Sequence, residues 1–419
     1  MNKIIYYIVF ITFTTVNFLI AQSGAVYSRF GIGDLVNSHT AYRMGFGELG
    51  SAVIDKDYIE GYNPASWTNL EYTKLAISAR YLGTSSSNNN SKVFHSNIIF
   101  SGFTIGFPIQ RDLGISLAIG LIPVSALNYN ISNSLNNSLF GDYKETFKGS
   151  GSLSKVFIGS SVLIPSNSSI GLSVEYYTGA NKYLSYQDFA SNSTYKDVSY
   201  ETQYKYRGMG TTVSVISGNI FDLLNKSENT NNSVLRLSAL VNFISDLYTD
   251  TSIVTTTSIG VTENLVGEVK TIIPTKYTFG ASYSWNENYL ILFDYLFQPF
   301  SKYQFNGKYD TNLKDLRKYS LGFAYKDKSV RMNSTALERI SYRFGFSYEE
   351  TQYTFNGIKI NQYSLHSGIT IPFGDINFID FAIVGGLRGT TDNNLIKEQF
   401  INAAITLTLG ELWFVRENR

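Results

Sequence analysis

Long runs in which large apolar residues alternate with small or polar ones leave this chain few folds. In "ERISYRFGFSYEE", Ile340, Tyr342, Phe344, Phe346 and Tyr348 share one parity, while Arg339, Ser341, Arg343, Gly345, Ser347 and Glu349 share the other. "KYSLGFAY" sets Tyr319, Leu321, Phe323 and Tyr325 against Ser320, Gly322 and Ala324. "KYTFGASYSW" sets Tyr277, Phe279, Ala281, Tyr283 and Trp285 against Thr278, Gly280, Ser282 and Ser284. A period of two places successive side chains on opposite faces of a strand. The runs are about ten residues long with rings at the ends of the apolar face, as in a tilted strand crossing a membrane between aromatic girdles. Strands of a soluble β-sandwich are about half that length. The expected fold is all-β: a transmembrane antiparallel barrel of about fourteen strands between residues 72 and 410, an even count that returns both termini to one side.

The connections sort by length. "PIQRD", "PSNS", "WNEN" and "PFGD" are short and turn-rich, as periplasmic turns are. "SSSNNNS", 130–142, 249–273 and 389–397 are polar and longer, and are expected as outer loops. Two connections on the periplasmic side, 219–232 and 327–337, are also long, and "NIFDLL" at 219–224 has the length of a short helix.

Composition agrees with a lipid-facing surface. Charged residues are 16% and aromatics 15%, with 31 Tyr and 29 Phe, whereas about 25% charged is usual for soluble domains. Lys plus Arg number 34 against 33 Asp plus Glu, a net charge of +1, so the basic face of a nucleic-acid protein is not expected. The absence of cysteine excludes disulfides, thiolate catalysis and cysteine metal sites. His39, His95 and His366 lie far apart, and neither a G-x-S-x-G elbow nor a Walker motif occurs. No cofactor, metal site or enzymatic activity is expected. Lys3 followed by the apolar run Ile4 to Ile20, with Leu19 and Ala21 at cleavage-site spacing, reads as a signal peptide over 1–21. The expected location is therefore the outer membrane of a Gram-negative bacterium.

The inward parity is too thinly charged for a water-filled porin. "YLILFDYLFQ" places Leu290, Leu292, Asp294 and Leu296 opposite its rings, and "INFIDFAIVGG" is apolar on both faces around Asp380. A strand apolar on both faces has lipid on one side and either a packed plug or a hydrophobic passenger on the other. Leu290, Leu292, Asp294, Arg343, Phe378 and Asp380 are the candidate lumen lining. Arg236, Arg388 and Glu175 also face inward, either pairing there or lining a narrow polar path.

Before the barrel, 22–71 lacks alternation and is rich in glycine. It contains "GFGELG", Gly45 to Gly50, which has the spacing of a dinucleotide cradle. Such a cradle needs a buried strand before it and a helix after it. "NSHTAYRM" is not such a strand, and Gly61 and Pro64 would soon interrupt a helix on the other side. In "GYNPASWTNL", Asn63 suits a helix N-cap and Pro64 the first helical position. A glycine-rich segment that feeds straight into a barrel fits inside the bore.

On "SRFGIGDL" (Ser28 to Leu35), "MGFGELGSAV" (Met44 to Val53) and Asn63-Pro64-Ala65 before the first strand, the chain resembles the FadL-like outer-membrane transporters of hydrophobic compounds. The resemblance implies an N-terminal hatch (22–71) inside a fourteen-stranded barrel (72–419). Gly45 and Gly47 would be its flexible elements, and Asn63, Pro64 and Ala65 its turn. It also implies passive uptake of fatty acids or hydrocarbons, often towards a lateral gap in the wall, with membrane lipid and a hydrophobic small molecule as partners. Some relatives act instead as partners in protein export. An accessory barrel of a secretion assembly, with an envelope protein partner, is therefore the alternative.

Overall fold

The computed structural model describes residues 25–411, apart from 90, 138–140, 190–194, 225–232, 328–338 and 375. The expected signal peptide and most of the 327–337 connection lie outside the described residues. Fourteen antiparallel strands close into a barrel. They are β1 Thr73–Ser87, β2 Lys92–Gln110, β3 Ile115–Asn137, β4 Gly141–Ile164, β5 Ser168–Asp188 and β6 Val198–Ile216. β7 runs Val234–Ile244 and resumes as Leu247–Thr257; β8 runs Gly260–Ile272 and resumes as Lys276–Trp285. β9 Tyr289–Gln298, β10 Leu316–Tyr325, β11 Ser341–Phe355, β12 Ile358–Pro372, β13 Phe378–Arg388 and β14 Lys397–Glu411 complete the wall. β14 pairs with β1 from Lys397↔Ser87 to Glu411↔Thr73. Closure is what the bilayer demands, because each unpaired N–H or C=O in hydrocarbon costs several kcal/mol.

The alternation sorts as its chemistry requires. In β11, Tyr342, Phe344 and Phe346 face out, while Ser341, Arg343 and Ser347 are buried inside. Phe344 is 54% and Leu365 68% exposed, a surface that calls for lipid. Rings gather in two belts. Tyr295, Tyr319, Tyr348 and Tyr363 follow one another around the outer end, and Tyr283, Trp285, Tyr289 and Tyr325 around the short-turn end.

Two features of the wall stand out, and the first differs from expectation. The 249–273 stretch is a hairpin of the upper parts of β7 and β8, closed at Thr257↔Gly260. Its Thr- and Val-rich sequence has strand propensity that its polarity obscures. The 130–142 loop is likewise mostly strand, since β3 and β4 stay paired out to Asn137↔Gly141. Strands β3 to β8 therefore rise past the outer belt as a six-stranded flange. Both β7 and β8 are interrupted where they leave the belt, and Pro274, which has no N–H to give a ladder, sits in the β8 break. The expected helix near 219–224 is present as Ile220–Leu224.

The second feature is a split. β2 and β3 pair only from Phe103↔Leu121 to Gln110↔Ile115. At the top of that zone β2 bulges beside Gly102, whose φ of 111° is a left-handed value. Beyond it, the freed edge of β3 is taken by the N-terminal segment: Asp34 and Leu35 pair with Ala126 and Ser125.

The N-terminal segment fills the bore. It lies against wall positions that carry no side chain: a Cβ on Gly345 would sit 2.6 Å from the Gly47 nitrogen, and one on Gly322 would sit 2.4 Å from the Phe46 oxygen. Gly322 and Gly345 are cross-strand partners, and Gly368 meets the Gly45 Cα on the next strand. Three adjacent strands thus offer a shallow trough. Gly345→Val should keep the barrel but unseat residues 45–47, lowering stability by about 1–3 kcal/mol. Thermal unfolding in detergent, with limited proteolysis of the hatch, checks this.

Candidate functional site

The hatch enters the bore from its outer half. The Ala25 amide donates to the Asn128 carbonyl at 2.9 Å, and the Val26 amide to Glu398 Oε1 at 2.6 Å. A single helical turn, Ala41–Met44, is capped by the Thr40 side chain and ends at Gly45. Gly47, Glu48 and Gly50 then take positive φ values of 101°, 76° and 66°. These bends turn the chain back so that the Arg43 guanidinium donates to the carbonyls of Gly50 and Val53. "GFGELG" therefore closes a helix and curls around an arginine. A phosphate cradle would open one.

Buried wall side chains pin this curl. Asp294 on β9 accepts from the Gly50 and Ser51 amides, both at 2.8 Å, and from Ser51 Oγ at 2.5 Å. Ser282 Oγ donates to the Ala52 carbonyl and Ser320 Oγ to the Gly47 carbonyl. Lys318 pairs with Glu48 and, at 3.3 Å, with Glu349. His366 Nδ1 lies 3.0 Å from the Met44 carbonyl oxygen, and its Nε2 lies 2.9 Å from Ser347 Oγ. Although burial opposes it, the positive charges of Lys318 and Arg80 hold the Glu48 carboxyl down at about 2. Burial, reinforced by Arg80 and Lys155, pushes His39 down to about 3, leaving a neutral ring beside Thr104.

The Asn63-Pro64-Ala65 turn is built as its sequence dictates. Asn63 Oδ1 accepts from the Ala65 amide at 3.0 Å, and Pro64 opens a 3-10 helix that ends at Asn69. Asn63 Nδ2 donates to the Ser51 carbonyl at 2.6 Å, joining the turn to the anchored curl. The Ala65 amide also reaches Ser214 Oγ on β6, and the turn sits where wall Gly171 leaves room.

The structure places the six residues of the expected lumen lining on the inner side of the wall, five of them against the hatch and Asp380 against its wall neighbours Arg343 and Thr370. Leu292 packs with Tyr42, Phe46 and Val53, with Leu290 beside them. Arg343 pairs with Asp380 at 3.0 Å and lies over the Tyr42 ring. Phe378 meets Tyr58. Arg388 bridges Glu398 and Asp34, and Glu175 pairs with Lys155 at 2.5 Å. Nothing in the sequence marks Arg43, Glu48, Ser51 or Lys318 as hatch contacts, and His366 stands out there only as one of three scattered imidazoles. Lys318 does carry a signal of facing inward, since it shares the small-residue parity of Ser320 and Gly322.

Among the described residues, three spaces bear on the site. At the short-turn end, an open vestibule of about 1060 Å³ has a mixed lining that includes Asp55, Lys56, Asp57, Arg236 and Lys326. A cavity of about 150 Å³ lies beside the split, between Leu35, Ile99 and Ala126 on one side and Glu48, Arg80 and Lys318 on the other. A third, about 30 Å³, is lined by Glu60, Lys155 and Lys276 among others. Among the described residues no group of three His, Asp or Glu is placed to hold a metal.

A family model described as BamG matches residues 1–418. No curated protein matches the chain. Among solved structures, the toluene transporter TodX of P. putida superposes with a TM-score of 0.59 at 14% identity, over 90% of this chain and 100% of that one. The toluene transporter TbuX of Ralstonia pickettii gives 0.55 at 15%, over 90% and 99%. A Pseudomonas aeruginosa FadL homologue gives 0.57 at 9%, over 90% and 98%. At these identities the likeness is one of fold.

The anchors set two expected outcomes. Asp294→Ala strands the Gly50 and Ser51 amides and should cost on the order of 3 kcal/mol, since each unpaired buried group costs about 1–3 kcal/mol. Amide exchange at 50 and 51, with thermal unfolding, measures it. Glu48 has its folded-state pKa depressed, so its contribution is complete above about 4.5 and is lost as pH falls towards about 2. Acid unfolding profiles should show that loss in the native chain and a flatter one in Glu48→Gln.

Proposed function

The chain belongs to the BamG family, and from that membership together with its filled bore we propose that it is a non-conducting outer-membrane barrel. In this reading it is a scaffold that anchors the extracellular flange and offers it to a protein partner of the cell envelope. The observation that carries the reading is the way the hatch is held. Asp294 on β9, Lys318 and Ser320 on β10 and His366 on β12 all bond to the 44–51 stretch, so three strands of the wall hold it. Moving that stretch would strand several buried polar groups at once, each costing about 1–3 kcal/mol. The cavity in the outer half also suits an apolar passenger poorly, because its lining has three carboxylates (Asp34, Glu48 and Glu349) and three cations (Arg80, Lys318 and Arg388). Nothing in this role calls for catalysis or a cofactor.

A second reading has one observation in its favour. The split between β2 and β3 opens beside Arg80, whose guanidinium donates to the Ser38 carbonyl and whose Nε is buried without a partner. An amphipathic anion such as a fatty acid could set its carboxylate there and its tail in the split. That would be uptake of the kind named for TodX and TbuX, with lateral passage.

Proteoliposomes separate the two readings. Vesicles carrying the full chain should take up labelled oleate or toluene no faster than protein-free vesicles, and planar bilayers should show no ion conductance. Saturable uptake that Arg80→Ala abolishes would replace the scaffold reading with the second one.

A further inference from the structure

The flange ends in an edge that nothing among the described residues covers. Above Lys270, β8 pairs with β7 on one side, and on the other its contacts are confined to its base, at Thr271↔Phe305, Ile272↔Gln304 and the Asn306 amide that donates to the Lys270 carbonyl at 2.8 Å. The edge from Gly260 to Val269 lies beyond the ring belt, yet it displays large apolar residues. Ile259 is 97%, Val261 68% and Leu265 79% exposed. Long free edges of this kind are templates for strand pairing, and proteins ordinarily blunt them.

The turn fixes which backbone groups are free. Ser258 and Ile259 form a two-residue turn between the paired residues Thr257 and Gly260. The residues flanking such a turn share the ladder bonds, so alternate residues turn away from β7. Val261, Glu263 and Leu265 therefore direct their N–H and C=O groups outward, up to the bulge at Val266, where the β7 register shifts. The charges on this edge are unequal in their needs. Glu268 is met by Arg207, and Lys270 lies 3.3 Å from Asp246. Glu263 has no ion pair among the described residues.

Resting on the scaffold reading, we propose that the Gly260–Leu265 edge of β8 is a docking site for an extended segment of a partner protein outside the membrane. That segment adds a further strand to the flange. It carries Lys or Arg opposite Glu263, and apolar side chains that cover Val261 and Leu265. A second copy of this chain does not fit. Two barrels in one membrane are related by an axis along its normal. That symmetry sets the same outward N–H and C=O groups opposite each other, donor facing donor.

The test uses the full chain in its own membrane. A photo-crosslinking phenylalanine analogue is placed in turn at Val261, Glu263 and Leu265, with lipid-facing Phe344 as control. The three edge positions should give one shared protein adduct that Phe344 does not. Glu263→Pro removes an outward donor and leaves the β7 ladder intact, so it should weaken the adducts from Val261 and Leu265 about tenfold, the equivalent of one lost hydrogen bond. Heat-modifiable migration on gels confirms that the proline variant still folds, and Glu263→Lys should also lose adduct through charge repulsion. Three results overturn the proposal: no edge adduct, an adduct indifferent to Glu263→Pro, or one with the mass of two chains. If an envelope partner co-purifies but crosslinks only elsewhere, the edge proposal fails and the scaffold reading stands. If proteoliposomes take up solute, it is the scaffold reading that fails.

Discussion

A fourteen-stranded barrel encloses more space than its own side chains can fill. About eight strands is the size at which inward residues meet across the axis. Everything distinctive about this molecule answers that constraint. The N-terminal segment supplies the missing interior, and Asp294 fixes its tightest bend by receiving two consecutive hatch amides. The wall yields to it in turn, with glycine at 322, 345 and 368 where hatch backbone comes closest. Plug and wall are therefore one packed unit, with hydrogen bonds distributed along the whole course from Val26 to Thr68.

That distribution bears on function more than the fold does. A gate needs two arrangements of similar energy, and a segment held by many buried polar contacts has one strongly preferred arrangement. The ion pairs Arg343–Asp380, Arg388–Glu398 and Lys155–Glu175 are also buried. Buried pairs contribute little net stability but are costly to break one-sidedly. They suit an interior that stays put. The wall opens at the split between β2 and β3, and the hatch strand at Asp34–Leu35 already occupies the β3 edge there.

Much of this was legible in the sequence because bilayers enforce a strict code. The alternation in β8 to β12, the belts of Tyr and Trp, and the Asn63-Pro64 cap all obey local rules. The pairing of Lys318 with Glu48, or Asp294 with Gly50, joins residues more than 240 positions apart, and no local rule reaches that far. Wall glycines on the inward parity were the overlooked sign of a close-lying plug. The 249–273 hairpin was missed because outside the membrane the apolar/polar alternation is no longer enforced. Its Thr-rich strand β7 and mixed strand β8 read as polar loop.

The central claim is that the hatch stays fixed. The chain has no cysteine, so spin labels can be placed cleanly on cysteines introduced at Lys56 in the hatch and Glu287 in a short wall turn. Their separation is measured by pulsed electron resonance in membranes, with and without oleate or toluene. The account predicts one narrow distance distribution that neither solute alters. A second population that grows with solute would contradict it and show that the plug is a gate.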